Sequence, residues 1–354
     1  MLNAYKNKKV LITGNTGFKG SWLTLTLKMF GAQVIGYADK KPFKKSIIST
    51  EWIKDNIIQY YKKIENLNSL KQAIKKEKPD IIFHLAAQPL VLESYKLPRK
   101  TFLTNIIGTV NLLESIKDIN KNIPVLITTT DKVYKSKQKT FNELDDLAGI
   151  DPYSVSKVCK EHIAKCYSEL GLKIITARAG NVIGGGDWSK NRLIPDIMKS
   201  YLKEKSISIR NPSFTRPWLY ILDVIEGYIT LGEKLFNIKN NNYFNFYNLS
   251  PNDEKSYSVL ELTKIIKEKI SINTTISKNK NLKKENKYLQ LDSKKIKKEL
   301  GWVAKTSLNE ALENTTNWYL KVFEKDALEY TKQQILNHFK KNNLEFNRIE
   351  KKYA

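Results

Sequence analysis

One segment constrains the chain more than any other. A short apolar run, Lys9–Thr13 (KVLIT), leads straight into Gly14-Asn15-Thr16-Gly17-Phe18-Lys19-Gly20. Trp22–Phe30 then carries a helical pattern closed by Gly31, and Gln33–Tyr37 (QVIGY) reads as a second strand. Strand, glycine turn, helix and strand in that order predict a parallel βαβ unit, and hence an α/β chain. Glycines at such a turn let the backbone come close to a dinucleotide diphosphate. The helix start adds N–H donors and the positive end of its dipole. Gly14, Thr16, Gly17, Phe18, Lys19 and Gly20 are therefore the expected cofactor-binding turn, with the spacing G-x-x-G-x-x-G. Asp39, just past the second strand, is the candidate for the adenosine ribose hydroxyls and points to NAD. Lys40 and Lys41 beside it would accommodate a 2′-phosphate, so NADP is not excluded.

The middle of the chain carries the residues suited to chemistry. Asp80–Ala87 (DIIFHLAA) reads as a strand ending in small residues, so Leu85, Ala86 and Ala87 would admit a cofactor. His84 lies on its apolar run and is expected to be a packing residue. Thr101–Ile116 predicts an amphipathic helix containing Asn105, which either lines the reaction site or ties helix to strand. Val125–Thr130 (VLITTT) reads as another buried strand, ending at Thr130-Asp131-Lys132. Asp151-Pro152 looks like an N-cap followed by proline at the first helical position, which puts Tyr153 and Lys157 on one helix face. A Tyr can serve as base for an alcohol once nearby positive charge brings its pKa of about 10 toward 7. Lys157 and an oxidised nicotinamide would supply that charge, and Thr130 would donate to the reacting oxygen. Asp131 and Lys132 form an adjacent acid and base, the pair that elimination of water needs, or else a surface ion pair.

Composition narrows the partners. Lys and Arg total 61 against 36 Asp and Glu, a net charge of +25, yet only six are Arg: Arg99, Arg178, Arg192, Arg210, Arg216 and Arg348. Dispersed Lys makes a solvated surface, whereas a nucleic-acid platform calls for clustered Arg interleaved with aromatics, so no nucleic acid is expected. Four of the six Arg fall between Arg178 and Arg216, and Arg192, Arg210 and Arg216 suit a clamp on a diphosphate. With 41% hydrophobic residues the chain can build a core, while no apolar run approaches the roughly 20 residues of a membrane span. Two Cys, Cys159 and Cys166, make no disulfide scaffold. Met1–Val10 is polar, without an apolar secretion core, so a cytoplasmic protein is expected. No metal cluster is visible.

These motifs together resemble the extended short-chain dehydrogenase/reductase superfamily, and within it the CDP-glucose 4,6-dehydratases. The resemblance runs through GNTGFKGSWL (Gly14–Leu23), HLAAQPLVLESY (His84–Tyr95), DPYSVSK (Asp151–Lys157), RAGNVIGGGDW (Arg178–Trp188), NRLIPD (Asn191–Asp196), RPW (Arg216–Trp218) and LDSKKIKKELGW (Leu291–Trp302). It implies a doubly wound parallel Rossmann sheet over residues 1–180 and about 215–250. A smaller mixed α/β substrate lobe would take 181–214 and 251–354. It further implies NAD-dependent conversion of a nucleotide-diphospho-hexose, CDP-glucose first, to its 4-keto-6-deoxy product, in a homodimer formed through Thr101–Ile116 and Asp151–Leu170. The alternative is an epimerase, or a dehydratase of another nucleotide sugar. Thr130, Asp131, Lys132, Tyr153 and Lys157 are the implied catalytic set, with Asp131 favoured as acid and Lys132 as base. Tyr153, Lys157 and Asn105 also contact cofactor. The implied substrate contacts are Gln88, Ser94, Asn181, Arg192, Arg210, Arg216 and Tyr288. Gly184-Gly185-Gly186 would form a flexible loop under the sugar or base, or else only a turn, and Lys284–Asp292 would close over the base. The chain departs from the pattern at Lys63-Ile64, Val91-Leu92 and Lys135-Ser136.

Overall fold

The structure is a computed structural model and describes residues 2–43, 45–135, 137, 139–252, 256–276, 288–322 and 327–341. Seven parallel strands form the central sheet: β1 (Lys9–Thr13), β2 (Gln33–Ala38), β3 (Ile58–Tyr61), β4 (Ile81–His84), β5 (Val125–Thr128), β6 (Lys173–Ala179) and β7 (Tyr243–Leu249). Their order is β7-β6-β5-β4-β1-β2-β3. The order in which successive strands are laid down reverses between β1 and β4, where Leu11 pairs with Ile35 on one side and Ile82 on the other. A ligand crevice opens at such a switch point, beyond the strands' carboxyl ends.

The β-branched runs form buried strands because both sheet faces are covered. Val10, Ile12 and Phe83 pack on one face in a cluster that includes residues of α1 (Phe18–Met29) and α2 (Ile221–Phe236). Leu11, Ile35 and Ile82 pack on the other, against Leu70, Leu112 and Ile116. The alternation of side chains along each strand distributes them between the two layers.

Outside the central sheet the chain builds short two-stranded ladders. Val182–Ile183 pairs with Leu219–Tyr220, Ile207–Ile209 with Thr274–Ile276, Thr140–Phe141 with Gln290–Leu291, and Thr215–Arg216 runs antiparallel to Tyr257–Ser258. A helix over Ala327–Lys341 ends the described chain, with His338 Nε2 3.0 Å from Glu226 Oε2. Residues 342–354, and 284–287 of the expected base-covering segment, lie outside the described residues. No helix among the described residues is long and apolar enough to cross a membrane.

The helix expected over Thr101–Ile116 is three pieces, Pro98–Phe102, a π-helical turn Leu103–Ile107, and Gly108–Ile119. The widened turn accompanies the Asn105 side chain, which accepts from Gln88 N at 2.7 Å and donates to Gln88 O and Ser156 Oγ.

Candidate active site

The glycine turn leaves room that side chains would fill. Gly14 has φ +75°, and a Cβ there would stand 2.8 Å from Ala86 N; one on Gly20 would stand 2.1 Å from Gly14 O. Gly17 caps α1 with no side-chain hydrogen bond, so the first amides of α1 face outward without a side-chain acceptor. Thr16 Oγ1 donates to Lys40 O, tying the turn to the segment where exposed Asp39 follows β2. Thr13 Oγ1 accepts from Ala86 N, which draws Leu85-Ala86-Ala87 against the turn. His84 is fully buried, between Thr13 Oγ1 at 2.7 Å and Thr109 Oγ1 at 3.0 Å, a packing role. This cradle of close backbone and uncapped amides fits a dinucleotide diphosphate.

Next to it lies a cleft of about 280 Å³. Its lining includes Lys19, Thr130, Asp131, Lys132 and Tyr153, together with Asn181, Asp187, Arg192, Arg210 and Arg216. Thr130 caps a 3₁₀ turn, Asp131–Val133, and its hydroxyl donates to Asp131 Oδ1 at 3.0 Å. Lys132 Nζ is 3.6 Å from that same oxygen, while Asp131 Oδ2 is buried without a hydrogen-bond partner among the described residues. Tyr153 and Lys157 lie on α3 (Pro152–Glu169), which starts at a reciprocal capping pair of Asp151 and Ser154. Ser94 Oγ accepts from Tyr153 N at 3.2 Å.

Electrostatics differ from the sequence-based expectation. Burial pushes Tyr153 up to about 12; a hydrogen bond with Thr130 and the charge of Arg192 pull it down, and Asp131 and Asp151 raise it. Arg192 is therefore a cation near the phenol beside the expected Lys157. Lys157 Nζ lies 5.8 Å from the Tyr153 ring centroid and donates to Thr128 O at 3.2 Å. Burial lowers Lys157 to about 8 against the pull of Glu161. Lys19, expected at the cofactor turn, reaches the cleft wall, where burial and the charges of Arg192 and Lys157 lower it to about 7.

Several expected contacts point elsewhere. Gln88 turns inward: its side chain holds Leu90 and Thr101. The Ser94 hydroxyl is engaged by Val91 O and Tyr153 N, which makes it a brace for α3 rather than a substrate ligand. Tyr288 is not among the cleft-lining residues; it bonds Gln290 beside the Thr140–Phe141 ladder. Arg178 is also off the cleft. It is buried against Glu161, with Nε to Oε1 at 2.9 Å and Nη2 to Oε2 at 3.1 Å. Asn105 ties its helical segment to the loop after β4, through Gln88, and to α3, through Ser156 Oγ. Arg216 is buried with its guanidinium 5.2 Å from the Phe214 ring centroid, and Arg210 lies 3.9 Å from Asp196.

The glycine run is not a flexible loop. A Cβ on Gly184 would meet Ile221 at 2.4 Å, one on Gly185 would meet Trp318 at 2.0 Å, and one on Gly186 would meet Ile47 at 2.7 Å. Trp22 Nε1 donates to Gly185 O and Trp188 Nε1 to Lys45 O. These glycines serve close packing. Asp187, which follows them, was not anticipated from the sequence. The one signal was an acidic residue five positions before a rare Arg.

Comparison with known proteins agrees with this geometry. A model of the family described as GDP-mannose 4,6 dehydratase matches residues 11–315. A CDP-glucose 4,6-dehydratase of Salmonella typhimurium is 37% identical over 323 residues, 88% of this chain and 90% of the relative. A dTDP-D-glucose 4,6-dehydratase of Dictyostelium discoideum is 32% identical, over 62% of this chain and 54% of its own length. Among solved structures, an epimerase of Methanothermobacter thermautotrophicus has a TM-score of 0.80 at 26% identity, covering 92% of this chain and 95% of that one. A UDP-glucose 4-epimerase of Thermotoga maritima, solved with UDP-glucose, has a TM-score of 0.77 at 26% identity, covering 89% of this chain and 99% of that one. With the family match spanning most of its length, and a glycine cradle beside a Thr-Asp-Lys and Tyr cleft, the chain belongs to the GDP-mannose 4,6 dehydratase family of nucleotide-sugar dehydratases.

Proposed function

We propose that the chain dehydrates CDP-glucose, with NAD held by the glycine turn and Asp39 on the adenosine ribose. The observation that carries this is the meeting of Thr130, Asp131, Lys132 and Tyr153 in one cleft that also holds three Arg. When bound, the nicotinamide supplies the hydride acceptor and donor for C4 oxidation and the final reduction at C6. Tyr153 takes the C4 hydroxyl proton, and the Thr130 hydroxyl steadies that oxygen. Asp131, in its protonated form, gives its proton to the leaving C6 hydroxyl, which departs as water, while neutral Lys132 takes the C5 proton and returns it to C5 when hydride reaches C6. The proton that Tyr153 took from the C4 hydroxyl balances the one Asp131 lost, which restores the pair whose groups lie 3.6 Å apart. Asn181, Arg192, Arg210 and Arg216 receive the diphosphate. Residues 1–180 and 215–250 hold the cofactor, while 181–214 and 251–354 hold the nucleotide sugar. The homodimer would pair α3 with the segment 101–116, where Val155 and Ile107 stand 37% and 42% exposed; sedimentation velocity reads it directly. A cytoplasmic site of action fits small, phosphorylated substrates.

The test is a panel of CDP-, UDP-, GDP- and dTDP-glucose with NAD, read by the chromophore a 4-keto sugar develops in alkali. CDP-glucose turning over fastest is expected; preference for another nucleotide moves the assignment to that base. With the preferred sugar, Asp131→Asn should lower the yield of dehydrated product by about 10²- to 10³-fold. Ultraviolet absorbance marking C4 oxidation should persist. Equal loss of both signals would place Asp131 outside the elimination step.

A further inference from the structure

The turn that carries Thr130, Asp131 and Lys132 is weakly closed by its own hydrogen bonds. Val133 N reaches Thr130 O at 3.4 Å, Tyr134 N reaches Asp131 O at 3.5 Å, and Lys132 N reaches Thr130 Oγ1 at 3.4 Å. All three are longer than an ordinary N–H···O bond. The side chains flanking the turn are held far more tightly. Before it, Thr129 Oγ1 donates to Glu161 Oε1 at 2.5 Å. After it, Tyr134 Oη accepts from Arg178 Nη1 at 2.9 Å and donates to Asn248 Oδ1 at 2.7 Å. Glu161 and Arg178 are joined by two charge-assisted bonds, so both ends of the turn converge on one buried ion pair.

The central sheet fixes that pair in turn. Arg178 stands on β6, and Glu161, on α3, takes a further donor from Thr176 of β6. Asn248 stands on β7, where its Nδ2 donates to Phe141 O and Asp292 O and so directs its amide oxygen at Tyr134. The Tyr134 ring stacks on Phe141 with centroids 5.0 Å apart, a contact that does not need the hydroxyl. Backbone bonds from Ala148 N to Val133 O and from Lys135 N to Asp146 O, both 2.8 Å, hold only the far side of the turn.

We propose that Thr129 and Tyr134 are positioning residues whose hydroxyls clamp the Thr130-Asp131-Lys132 turn onto the Glu161–Arg178 pair. Thr129 sets Thr130 against the C4 oxygen, and Tyr134 sets Asp131 and Lys132 against C5 and C6. This rests on the reading of Asp131 and Lys132 as the elimination pair. Proton transfer depends on placement, and an error of about 1 Å costs on the order of 10²-fold in rate, more precision than bonds of 3.4–3.5 Å supply alone.

The test follows a single turnover of CDP-glucose by the full chain with NAD, read by absorbance of the reduced nicotinamide. The signal rises with C4 oxidation and decays through elimination and hydride return. Tyr134→Phe removes one oxygen and keeps the ring on Phe141. It should slow the decay by about tenfold or more and leave the rise within about threefold, so that reduced cofactor accumulates. Thr129→Val, equal in shape without the hydroxyl, should slow the rise by about tenfold. In both variants amide exchange over residues 130–134 should quicken by about tenfold, with CDP-glucose affinity, from the shift in melting temperature, within about threefold of wild type. A decay in Tyr134→Phe slowed no more than the rise, or unchanged exchange over 130–134, overturns the proposal. If Tyr134→Phe does not fold, Thr129→Val decides, and an unslowed rise there overturns it. Asp131→Asn in the same assay tests the underlying reading. If its decay is not slowed, the elimination assignment fails, and the clamp stands or falls on the exchange alone.

Discussion

Replacing Tyr153 by Phe is expected to lower kcat for the dehydration by about 10³-fold, the scale of a lost general base. The hydroxyl is the only atom removed. Ser94 holds the backbone of Tyr153 and the Asp151–Ser154 pair caps its helix, so neither support depends on the phenol. The melting temperature and CDP-glucose affinity should therefore hold near wild type. The alkali chromophore checks the rate, and a fall of less than tenfold would remove Tyr153 from the proton-transfer step. Because burial pushes the phenol up to about 12 in the protein alone, kcat should also climb with pH across the neutral range. The expected order is steeper activity at pH 8 than at pH 6, in the wild type but not in Tyr153→Phe.

Glu161→Gln should cost about 3–5 kcal/mol of stability, read from urea unfolding at pH 7. The carboxylate is buried and takes four donors: Arg178 Nε and Nη2, Thr129 Oγ1 and Thr176 Oγ1. Burial works against its charge, but Arg178 and the two hydroxyls overcome that and hold its pKa below the ordinary value. A neutral amide keeps one oxygen for Arg178 but replaces the other by a donor and removes the charge, so the buried guanidinium loses its Glu161 counter-charge and keeps Tyr134 Oη and Glu143 O as neutral partners. A carboxylate whose folded pKa is depressed stabilises the fold above its unfolded pKa of about 4.3 and loses that contribution as pH falls through the folded value. The gap between wild type and Glu161→Gln should therefore be widest near neutrality and narrow below about pH 4. Joint replacement of Glu161 and Arg178 by Met should recover much of the loss, because no charge is then stranded. Since Glu161 also holds Thr129, next to Thr130, the single variant should lose activity as well.

The sheet was legible because buried parallel strands write themselves as continuous apolar runs, and the glycine turn fixes where the first crossover begins. Tyr153 and Lys157 were legible through an N-cap and a helical period. Distant pairings were not. Nothing in local spacing says that Arg178 turns to Glu161 rather than to the cleft, or that the Gln88 side chain closes on Leu90 and Thr101. Both follow from tertiary packing, which decides between a ligand contact and an internal one. The same holds for Lys19: its place in the turn was visible, while its reach into the cleft beside Asp131 depends on how α1 meets the rest of the cleft. The flanks of the glycine run invited a flexible loop, because glycine permits motion and close approach alike. Only the Trp318, Ile221 and Ile47 contacts distinguish the two.

That packed glycine wall has a consequence for the traffic of ligands. A wall held by two indole N–H bonds and by side chains at contact distance has little conformational freedom left to surrender when a nucleotide sugar arrives, so the ordering penalty of association is small on that side. It also cannot swing aside to let product out. The product, still a nucleotide sugar, must therefore leave past other parts of the cleft lining than this wall.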